Sequence, residues 1–176
     1  VLRWMKQENI AAYDERTHTG VVRHIYLRTA SRDGKVLFCL VVNAKTLAKK
    51  ETLVRTILEQ MPEVGGIVVN YNTKKSNVIL GERFEALTGD SALYDTLLGL
   101  TFRLSPAAFY QVNHAQAERL YEKAIEFAGL RGEETALDLY CGSGTITLCL
   151  ARHVRKVYGV EIVDAAIRDA KENAAR

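Results

Sequence analysis

The sequence contains few of the residues that mark fibrous, secreted or membrane proteins. Its 176 residues include only 2 prolines, 3 cysteines and 12 glycines, alongside 48% hydrophobic and 26% charged residues. This composition excludes collagen-like and low-complexity disordered chains. No apolar run approaches the ~20 residues that a membrane-spanning helix needs, and the first residues lack the apolar core of a signal peptide. We therefore expect a globular, cytoplasmic protein that has no membrane partner.

The three cysteines, Cys39, Cys141 and Cys149, do not form a recognisable framework. Their number is odd, no two form a CxxC pair, and none has a nearby histidine at zinc-ligand spacing. A disulfide framework and a metal site are therefore not predicted. The formal net charge of +3 argues neither for nor against a nucleic-acid partner.

The segment before Pro106 has the pattern of a sheet with one helix. Alternating residues predict a strand at 20–28, and an apolar run within 35–43 predicts a central strand that pairs with it as a hairpin. Helical spacing predicts an amphipathic helix at 47–61, before Pro62. Further strands are predicted at 66–70, 77–80, 92–98 and 101–104. Residues 1–104 are thus predicted to form an α+β central domain with a mostly antiparallel sheet.

After Pro106 strands and helices alternate. Asn113, with Gln116 three places on, has the form of a capping box, and Gly129 is the expected end of that helix. The elements then predicted are a buried strand at 135–139, a glycine loop at 140–144, a helix at 146–152, a strand at 156–160 and a helix at 164–176. Residues 105–176 are therefore predicted to be the truncated first half of a Rossmann-like α/β domain. Because the chain starts at Val1 and its last residues fall inside a predicted helix, we expect a fragment.

The segment 137–144 and the end of the next strand carry the residues that indicate chemistry. Gly142 and Gly144 follow the first strand, where a flexible backbone can turn sharply and approach a ligand. Glu161 ends the neighbouring strand at the same edge, where a carboxylate can accept both ribose hydroxyls. The alternative interpretation is a tight turn, with Glu161 and Asp138 complementing helix N-termini and Asp164 as the better-placed cap.

The details of this segment favour one adenosine cofactor over others. A dinucleotide fingerprint would need a small third residue, where this chain has Thr147, and no Gly-Lys-Ser/Thr sequence of a P-loop is present. Asp138 would repel a pyrophosphate but attract an ammonium and a sulfonium group. S-adenosylmethionine carries both groups, together with a ribose for Glu161. The sequence therefore predicts S-adenosylmethionine as the cofactor.

Three segments, 104–113, 137–145 and 159–161, together resemble the RNA uracil-C5 methyltransferase family, which modifies uridines in 23S ribosomal RNA and transfer RNA. The Ser-Pro-x-x-Phe-x-Gln-x-Asn segment that precedes the helix is specific to that family. The resemblance implies a Rossmann-like methyltransferase domain after residue 104. It also assigns cofactor contacts to residues of this chain. Together with Asp138, they give a predicted cofactor site that consists of Gln111, Asp138, Tyr140, Gly142, Gly144, Thr145 and Glu161.

The same resemblance implies chemistry that this chain lacks. Family members use a cysteine nucleophile that adds to C6 of uracil, after which C5 takes the methyl group and a base removes the C5 proton. The motifs for those steps are absent from the sequence. We therefore expect no catalytic residue in this chain, no activity from the chain alone and weak cofactor binding. The resemblance also allows an iron–sulfur cluster in the full-length protein, with ligands that would lie outside residues 1–176.

The predicted partner is RNA, with 23S ribosomal RNA favoured over transfer RNA because of the central domain. Basic and aromatic residues suited to RNA are His24, Tyr26 and Arg28 on one strand face, and Arg16, Arg32, Lys74 and Lys75 in or near loops. A solvated polar face explains them equally well, and Lys45, Lys49 and Lys50 are interpreted as a solvated helix face. The truncated sheet is expected to leave an unpaired edge and uncovered apolar surface at 137–139 and 157–160, which predicts self-association, another partner or tolerated exposure. A methyltransferase for another substrate and an inactive RNA-binding module stay open as alternatives.

Overall fold

The computed structural model describes every residue from Val1 to Arg176. It has one four-stranded sheet and 2 two-stranded sheets. The helices are α1 Leu2–Gln7, α2 Lys50–Leu58, α3 His114–Ala128, α4 Thr145–Ala151 and α5 Asp164–Ala174. The strands are β1 Val22–Thr29, β2 Val36–Val42, β3 Val64–Tyr71, β4 Arg83–Gly89, β5 Leu93–Leu97, β6 Leu100–Leu104, β7 Thr135–Asp138 and β8 Lys156–Gly159. The chain divides into two compact units, residues 1–30 with 34–93, and residues 31–33 with 94–176.

The first unit is built on the four-stranded sheet, in the order β1-β2-β3-β4. Strand β1 pairs antiparallel with β2, which confirms the predicted hairpin. Strand β2 pairs in parallel with β3, and β3 pairs antiparallel with β4. The parallel pair requires a crossover, and α2 supplies it. Two of the three pairings are therefore antiparallel, as the sequence predicted.

Strand β2 is the centre of this unit, because all seven of its residues are buried. Its alternate side chains feed two apolar layers, since successive residues of a strand point to opposite faces. Leu40 packs in the layer that includes Leu53 and Ile57 of α2, whereas Leu37 and Val41 pack in the other. A central strand with both faces covered reads as a continuous apolar run, as this one does.

Helix α2 is shorter than the predicted 47–61. It begins after Lys49, whose φ of 60° is incompatible with a helix, although Leu47 is still buried. Helix α1, which buries Trp4 completely, was not predicted from the sequence. The Trp4 indole donates a hydrogen bond of 3.2 Å to the Lys49 carbonyl, and this bond ties α1 to the start of α2.

The strand predicted at 77–80 is wrong, and β4 was missed. Residues 77–80 form an irregular loop, and the strand that pairs with β3 begins at Arg83. The apolar side chains of Val78 and Ile79 suggested a strand, but both are half exposed. The side-chain amides of Asn70 in β3 and of Asn72 just after it donate hydrogen bonds to backbone carbonyls of this loop. These carbonyls therefore need no partner strand.

In the second unit β5 and β6 form a hairpin, and its tight turn requires positive φ values at Leu98 and Gly99. Helix α3 begins as predicted, because the Asn113 side chain accepts a hydrogen bond from the Gln116 backbone, and it ends at Gly129 in the left-handed conformation. This unit has its own core, made of Leu97, Phe102, Leu104, Ala117, Tyr121 and Cys149. Residues 94–104 thus pack within the second unit, whereas the sequence placed a boundary after residue 104.

The last part of the chain is a β-α-β unit followed by α5. Strands β7 and β8 pair in parallel, and α4 connects them. The predicted strand is present but is not buried, because Leu137 is 58% exposed and Leu139 57%; this agrees with the uncovered apolar surface that the sequence also predicted here. Strand β7 pairs only with β8, so its apolar side chains lack the neighbours that cover β2.

None of the helices described above has the length and apolar character of a membrane-spanning segment.

Candidate functional site

The glycine loop lies between β7 and α4. Gly142 has a φ of 53° and Gly144 a φ of 83°, a region that favours glycine. The Cys141 N–H donates to the Val160 carbonyl at 3.1 Å, and the Gly144 N–H donates to the Cys141 carbonyl at 2.8 Å. Space is open where a Cβ at Gly142 would project, whereas one at Gly144 would meet Ala170 at 3.3 Å. The loop is therefore tight at Gly144 and accessible at Gly142.

Glu161 lies directly against this loop. Its Oε2 accepts a hydrogen bond of 3.1 Å from the Gly142 N–H, and its Oε1 accepts from the N–H groups of Ile162 at 2.8 Å and Val163 at 2.9 Å. These backbone donors, led by that of Val163, hold the pKa of the Glu161 carboxyl below its usual value. Glu161 is therefore an anion whose oxygens have lone pairs left for further hydroxyl donors.

The alternative interpretation of Glu161 is partly correct as well. Helix α5 begins after Val163, and no side chain caps its first turn. The expectation that Asp164 is the cap is wrong, because Asp164 is already the first helical residue. Glu161 instead accepts the N–H groups of the two residues that precede α5. One carboxylate thus joins the glycine loop to the segment that leads into the helix.

Asp138 ends β7, and its carboxylate accepts a hydrogen bond of 2.5 Å from the Thr147 hydroxyl. Thr147 is buried in α4 and occupies the position where a dinucleotide-binding loop needs a small residue. The mismatch noted in the sequence therefore has a structural role, because it orients the acid that precedes the glycines. Asp138 does not cap α4, whose N-cap is Gly144 with no side-chain bond.

The other predicted site residues differ in their surroundings. The Thr145 hydroxyl lies 3.0 Å from the Tyr121 hydroxyl of α3 and forms a hydrogen bond with it. Tyr140 is 90% exposed, and no hydrogen bond involves its side chain. Gln111 is half-buried in the loop between β6 and α3. Direct hydrogen bonds thus join Glu161 to Gly142, but none joins Gln111 or Tyr140 to this group.

A buried polar network supports the loop from α5, and the sequence analysis missed it. The Asn173 amide donates to the carbonyls of Ser143 at 3.0 Å and Arg103 at 3.1 Å, and its oxygen accepts the Arg103 N–H at 2.7 Å. Asp169 accepts from Ser105 at 2.5 Å and pairs with Arg103 at 3.0 Å. Asn173 and Asp169 lie four residues apart on a helix that also carries exposed charged residues, so no sequence signal separates them from solvated neighbours.

Gly159 is a second missed residue. A Cβ at this position would lie 2.9 Å from the Cys141 sulfur, closer than packed atoms allow. Cys141 therefore packs against a glycine of β8. A glycine at the end of a strand beside a glycine loop is a signal that could have indicated this close approach.

None of the three cysteines is activated as a nucleophile. Burial raises the pKa of Cys39 to about 12 and that of Cys149 to about 11, and it also raises the pKa of Cys141. A thiol with a raised pKa holds its proton at neutral pH, and the thiolate is the reactive form. In addition, no three His, Cys, Asp or Glu side chains are grouped to hold a metal ion. These residues offer no support for an iron–sulfur cluster.

The candidate RNA residues lie in different surroundings. The Arg28 guanidinium donates to the Tyr26 hydroxyl at 2.7 Å, so these two side chains of β1 form one contact. Arg32 pairs with Asp33 at 3.2 Å, and Lys74 pairs with Glu82 at 2.6 Å. Of the remaining candidates, Arg16 and Lys75 are exposed, whereas His24 is partly buried.

Comparison with known proteins identifies relatives along the whole chain. The model of the tRNA (uracil-5-)-methyltransferase family matches residues 70–176. A protein of Clostridium tetani named as an uncharacterized RNA methyltransferase is 44% identical over 171 residues, which is 97% of this chain and 37% of that protein. A protein of Listeria monocytogenes with the same description is 48% identical over 162 residues, which is 92% of this chain and 36% of that protein.

One solved structure is similar in both fold and sequence. It is the Pyrococcus abyssi tRNA (uracil-54, C5)-methyltransferase in complex with S-adenosyl-L-homocysteine, with a TM-score of 0.79 and 26% identity. The match covers 98% of this chain and 41% of that enzyme. This chain therefore spans a little over a third of the length of its relatives. The second unit has the α/β fold of part of an S-adenosylmethionine-dependent methyltransferase domain. The chain belongs to the tRNA (uracil-5-)-methyltransferase family.

Proposed function

We propose that this chain is the cofactor-binding part of a cytoplasmic S-adenosylmethionine-dependent enzyme that methylates C5 of uridine in RNA. The observation that carries the proposal is the glycine loop with Glu161 hydrogen-bonded to it at the shared end of β7 and β8. Ligands of open α/β sheets bind outside the carboxyl ends of the strands, which is where these residues lie. The catalytic cysteine and the general base belong to parts of the protein outside residues 1–176.

The chemistry of the site fits the cofactor. Glu161 is anionic and accepts hydrogen bonds, so the two ribose hydroxyls can donate to its oxygens. Asp138 contributes a second carboxylate, which favours a cationic ligand over a pyrophosphate. The open space beside Gly142 leaves room for a ligand to approach the backbone. We propose that Gln111, Tyr140, Gly144 and Thr145 complete the contacts.

The proposed substrate is a uridine in RNA, since the matched family and the Pyrococcus abyssi relative are described as uracil-C5 methyltransferases. The expectation of 23S ribosomal RNA depended on the central domain. That region also has a counterpart in the transfer-RNA enzyme, because the match covers 98% of this chain. Ribosomal and transfer RNA are therefore both candidates. Methylation assays of the full-length protein on each RNA would distinguish them.

The test of cofactor binding is an amide chemical-shift titration of the chain with S-adenosylhomocysteine, which detects weak binding. We expect shifts at Gly142, Gly144 and Ile162. Glu161→Gln is expected to weaken binding by about tenfold or more, because a charge-assisted hydrogen bond to a hydroxyl is stronger than a neutral one. Glu133→Gln is the matched control, since Glu133 is an exposed carboxylate just before β7.

Two results would contradict the proposal. The first is an absence of shifts at the glycine loop at millimolar ligand, which would favour an inactive RNA-binding module. The second is an equal response to a dinucleotide, which would point to another adenosine ligand. Tight binding by the chain alone would contradict only the narrower expectation that further strands are needed to complete the cofactor site.

A further inference from the structure

A surface loop of the first unit, residues 72–82, is held by hydrogen bonds from buried side chains, and it is called the anchored loop below. Asn70 is completely buried at the end of β3. Its amide donates to the carbonyls of Gly81 at 2.9 Å and Arg83 at 3.3 Å, and its oxygen accepts the Gly81 N–H at 2.7 Å. A Cβ at Gly81 would lie 2.2 Å from the Tyr71 carbonyl, so this close approach requires glycine.

A second buried amide holds the middle of the same loop. Asn72 is 1% exposed, and its amide donates to the carbonyls of Val78 at 2.6 Å and Ile79 at 3.0 Å. Its oxygen accepts the Lys74 N–H at 3.1 Å. The two asparagines therefore provide hydrogen bonds that a neighbouring strand would otherwise supply.

An arginine of β1 also holds the backbone of this loop. The Arg23 guanidinium of β1 donates to three carbonyls, those of Asn72 at 2.9 Å, Lys74 at 2.8 Å and Ser76 at 3.0 Å. It also stacks on Tyr13, with 4.5 Å between the guanidinium carbon and the ring centre. Because the planar guanidinium contacts several carbonyls at once, it fixes the path of the backbone there.

The outward side of this anchored loop is entirely exposed. Every residue from 73 to 79 lies at the surface. Lys74 is paired with Glu82, whereas Lys75 forms no ion pair, and the apolar side chains of Val78 and Ile79 are half exposed beside it. The loop therefore presents a cation and two apolar side chains on a backbone that is held in place.

The end of the sheet that carries this loop is positively charged. Strands β2 and β3 end there and β1 and β4 begin there, because of the observed pairings. The segments at this end, 12–21, 43–50 and 72–83, contain seven Lys or Arg and three Asp or Glu residues. The segments at the other end, 30–36, 59–64 and 89–92, contain two basic and four acidic residues. The charge is therefore separated along the strands.

Lys45 belongs to the same positive end. The Arg83 guanidinium lies over the Tyr71 ring at 3.6 Å and donates to the Lys45 carbonyl, so the backbone at Lys45 is held in place. Its side chain is exposed and forms no ion pair. The interpretation of Lys45 and Lys49 as part of a solvated helix face is wrong, because α2 begins only at Lys50.

We propose that the loop 72–82 together with Lys45 is an RNA-contact surface, a proposal that rests on the RNA substrate of the proposed function. Separated, unpaired cations on a fixed scaffold suit phosphates, which position an RNA on a protein. The exposed Val78 and Ile79 suit the faces of unstacked bases, which are available in single-stranded RNA loops. Anchoring lowers the conformational cost of binding, because the loop is ordered before the RNA arrives.

The test is the affinity of the chain for a fluorescein-labelled, uridine-containing RNA hairpin, measured by anisotropy between ~50 and ~200 mM salt. The double variant Lys45→Gln/Lys75→Gln is expected to lose affinity by roughly three- to tenfold per lysine at the lower salt. The slope of log Kd against log salt should decrease by about 1 per lysine. Lys35→Gln, an exposed lysine at the other end of the sheet, should leave both quantities unchanged.

A second variant tests the anchoring separately from the charge. Arg23→Lys keeps the positive charge but removes the planar group that contacts three carbonyls. We expect several-fold weaker RNA binding with an unchanged salt slope, and faster amide hydrogen exchange across residues 73–79. Unchanged affinity despite faster exchange would contradict the role of the anchored conformation.

Equal losses in the Lys35 variant and the double variant would overturn the proposed surface, as would no RNA binding by the unmodified chain. The outcome for the cofactor is measured independently in the S-adenosylhomocysteine titration. Lysine-dependent RNA binding without any shift at Gly142 would overturn the cofactor proposal and support this surface. Cofactor shifts without lysine-dependent RNA binding would support the cofactor proposal and overturn the RNA-contact surface.

Discussion

Strands β2 and β7 differ in how far their apolar side chains are buried. All of β2 is buried, whereas Leu137 of β7 and Leu139 just after it are more than half exposed. Strand β2 has partners on both sides and apolar layers on both faces, while β7 pairs with β8 alone. The comparison shows that the burial of a strand depends on which other elements are there to cover it.

The largest difference expected between the two units lies in cysteine reactivity. Because burial raises the pKa of Cys39 to about 12 from an ordinary value of 9.0, its thiolate fraction near pH 8 falls by about a thousandfold. Cys149, at about 11, should be suppressed by about a hundredfold, and Cys141 should react first. Iodoacetamide labelling followed by mass spectrometry would measure all three rates, which should rise with pH. Fast labelling of native Cys39 would contradict the burial of β2.

Truncating a leucine in each strand tests the contrast in packing directly. Leu40→Ala in β2 is expected to lower the free energy of unfolding of the first unit by about 2–5 kcal/mol, because it leaves a cavity in a closed core. Leu137→Ala in β7 should change stability by less than about 1 kcal/mol, since that side chain is already exposed. Urea denaturation of both variants would measure the difference. Similar losses would mean that β7 is covered in solution, as the predicted self-association through its edge requires.

The buried network in the second unit allows a third test. Asp169→Asn removes the charge that pairs with Arg103, and we expect a loss of about 2–3 kcal/mol in the stability of this unit. The exposed Glu172 also contacts Arg103, at 3.3 Å, so Glu172→Gln is the matched control and should cost less than about 1 kcal/mol. Equal effects of the two substitutions in urea denaturation would contradict the importance of burial.

The smallest expected effect concerns the cap of α3. Asn113→Ala removes the side-chain oxygen that accepts the Gln116 N–H at 3.2 Å, and we expect a loss of about 1 kcal/mol. Asn113→Asp keeps an acceptor and should preserve stability. Thermal unfolding of the two variants would test this. A cost as large as that of Leu40→Ala would mean that Asn113 has a role beyond the cap.

Sequence patterns predicted local features well. The hairpin of β1 and β2, the Asn113 and Gly129 ends of α3, and the glycine loop followed by a helix are all in the structure. Each depends on residues close together in the chain, where backbone preferences and side-chain periodicity act directly. The roles of the predicted cofactor residues stay predictions, although Glu161 does contact the loop at Gly142.

Tertiary structure alone decided features that depend on distant residues. Val78 and Ile79 look like strand residues, yet Asn70, Asn72 and Arg23 hold them in a loop. Asp169 and Asn173 look like solvated helix residues, yet they support Ser143 and Arg103 from α5. In each case a polar side chain satisfies backbone or charged groups many residues away, and such pairing leaves no periodic pattern in the sequence.

The sequence by itself determined the order of most helices and strands, the glycine loop and the family, because these depend on local pattern and short motifs. Only the tertiary structure decided which apolar runs are buried and which surface is both charged and fixed. Burial and charge separation depend on how strands pair across the sheet, and the pairing brings together segments that are far apart in the chain. The anchored loop with Lys75 and Val78 is the clearest example, since its shape comes from buried residues outside it.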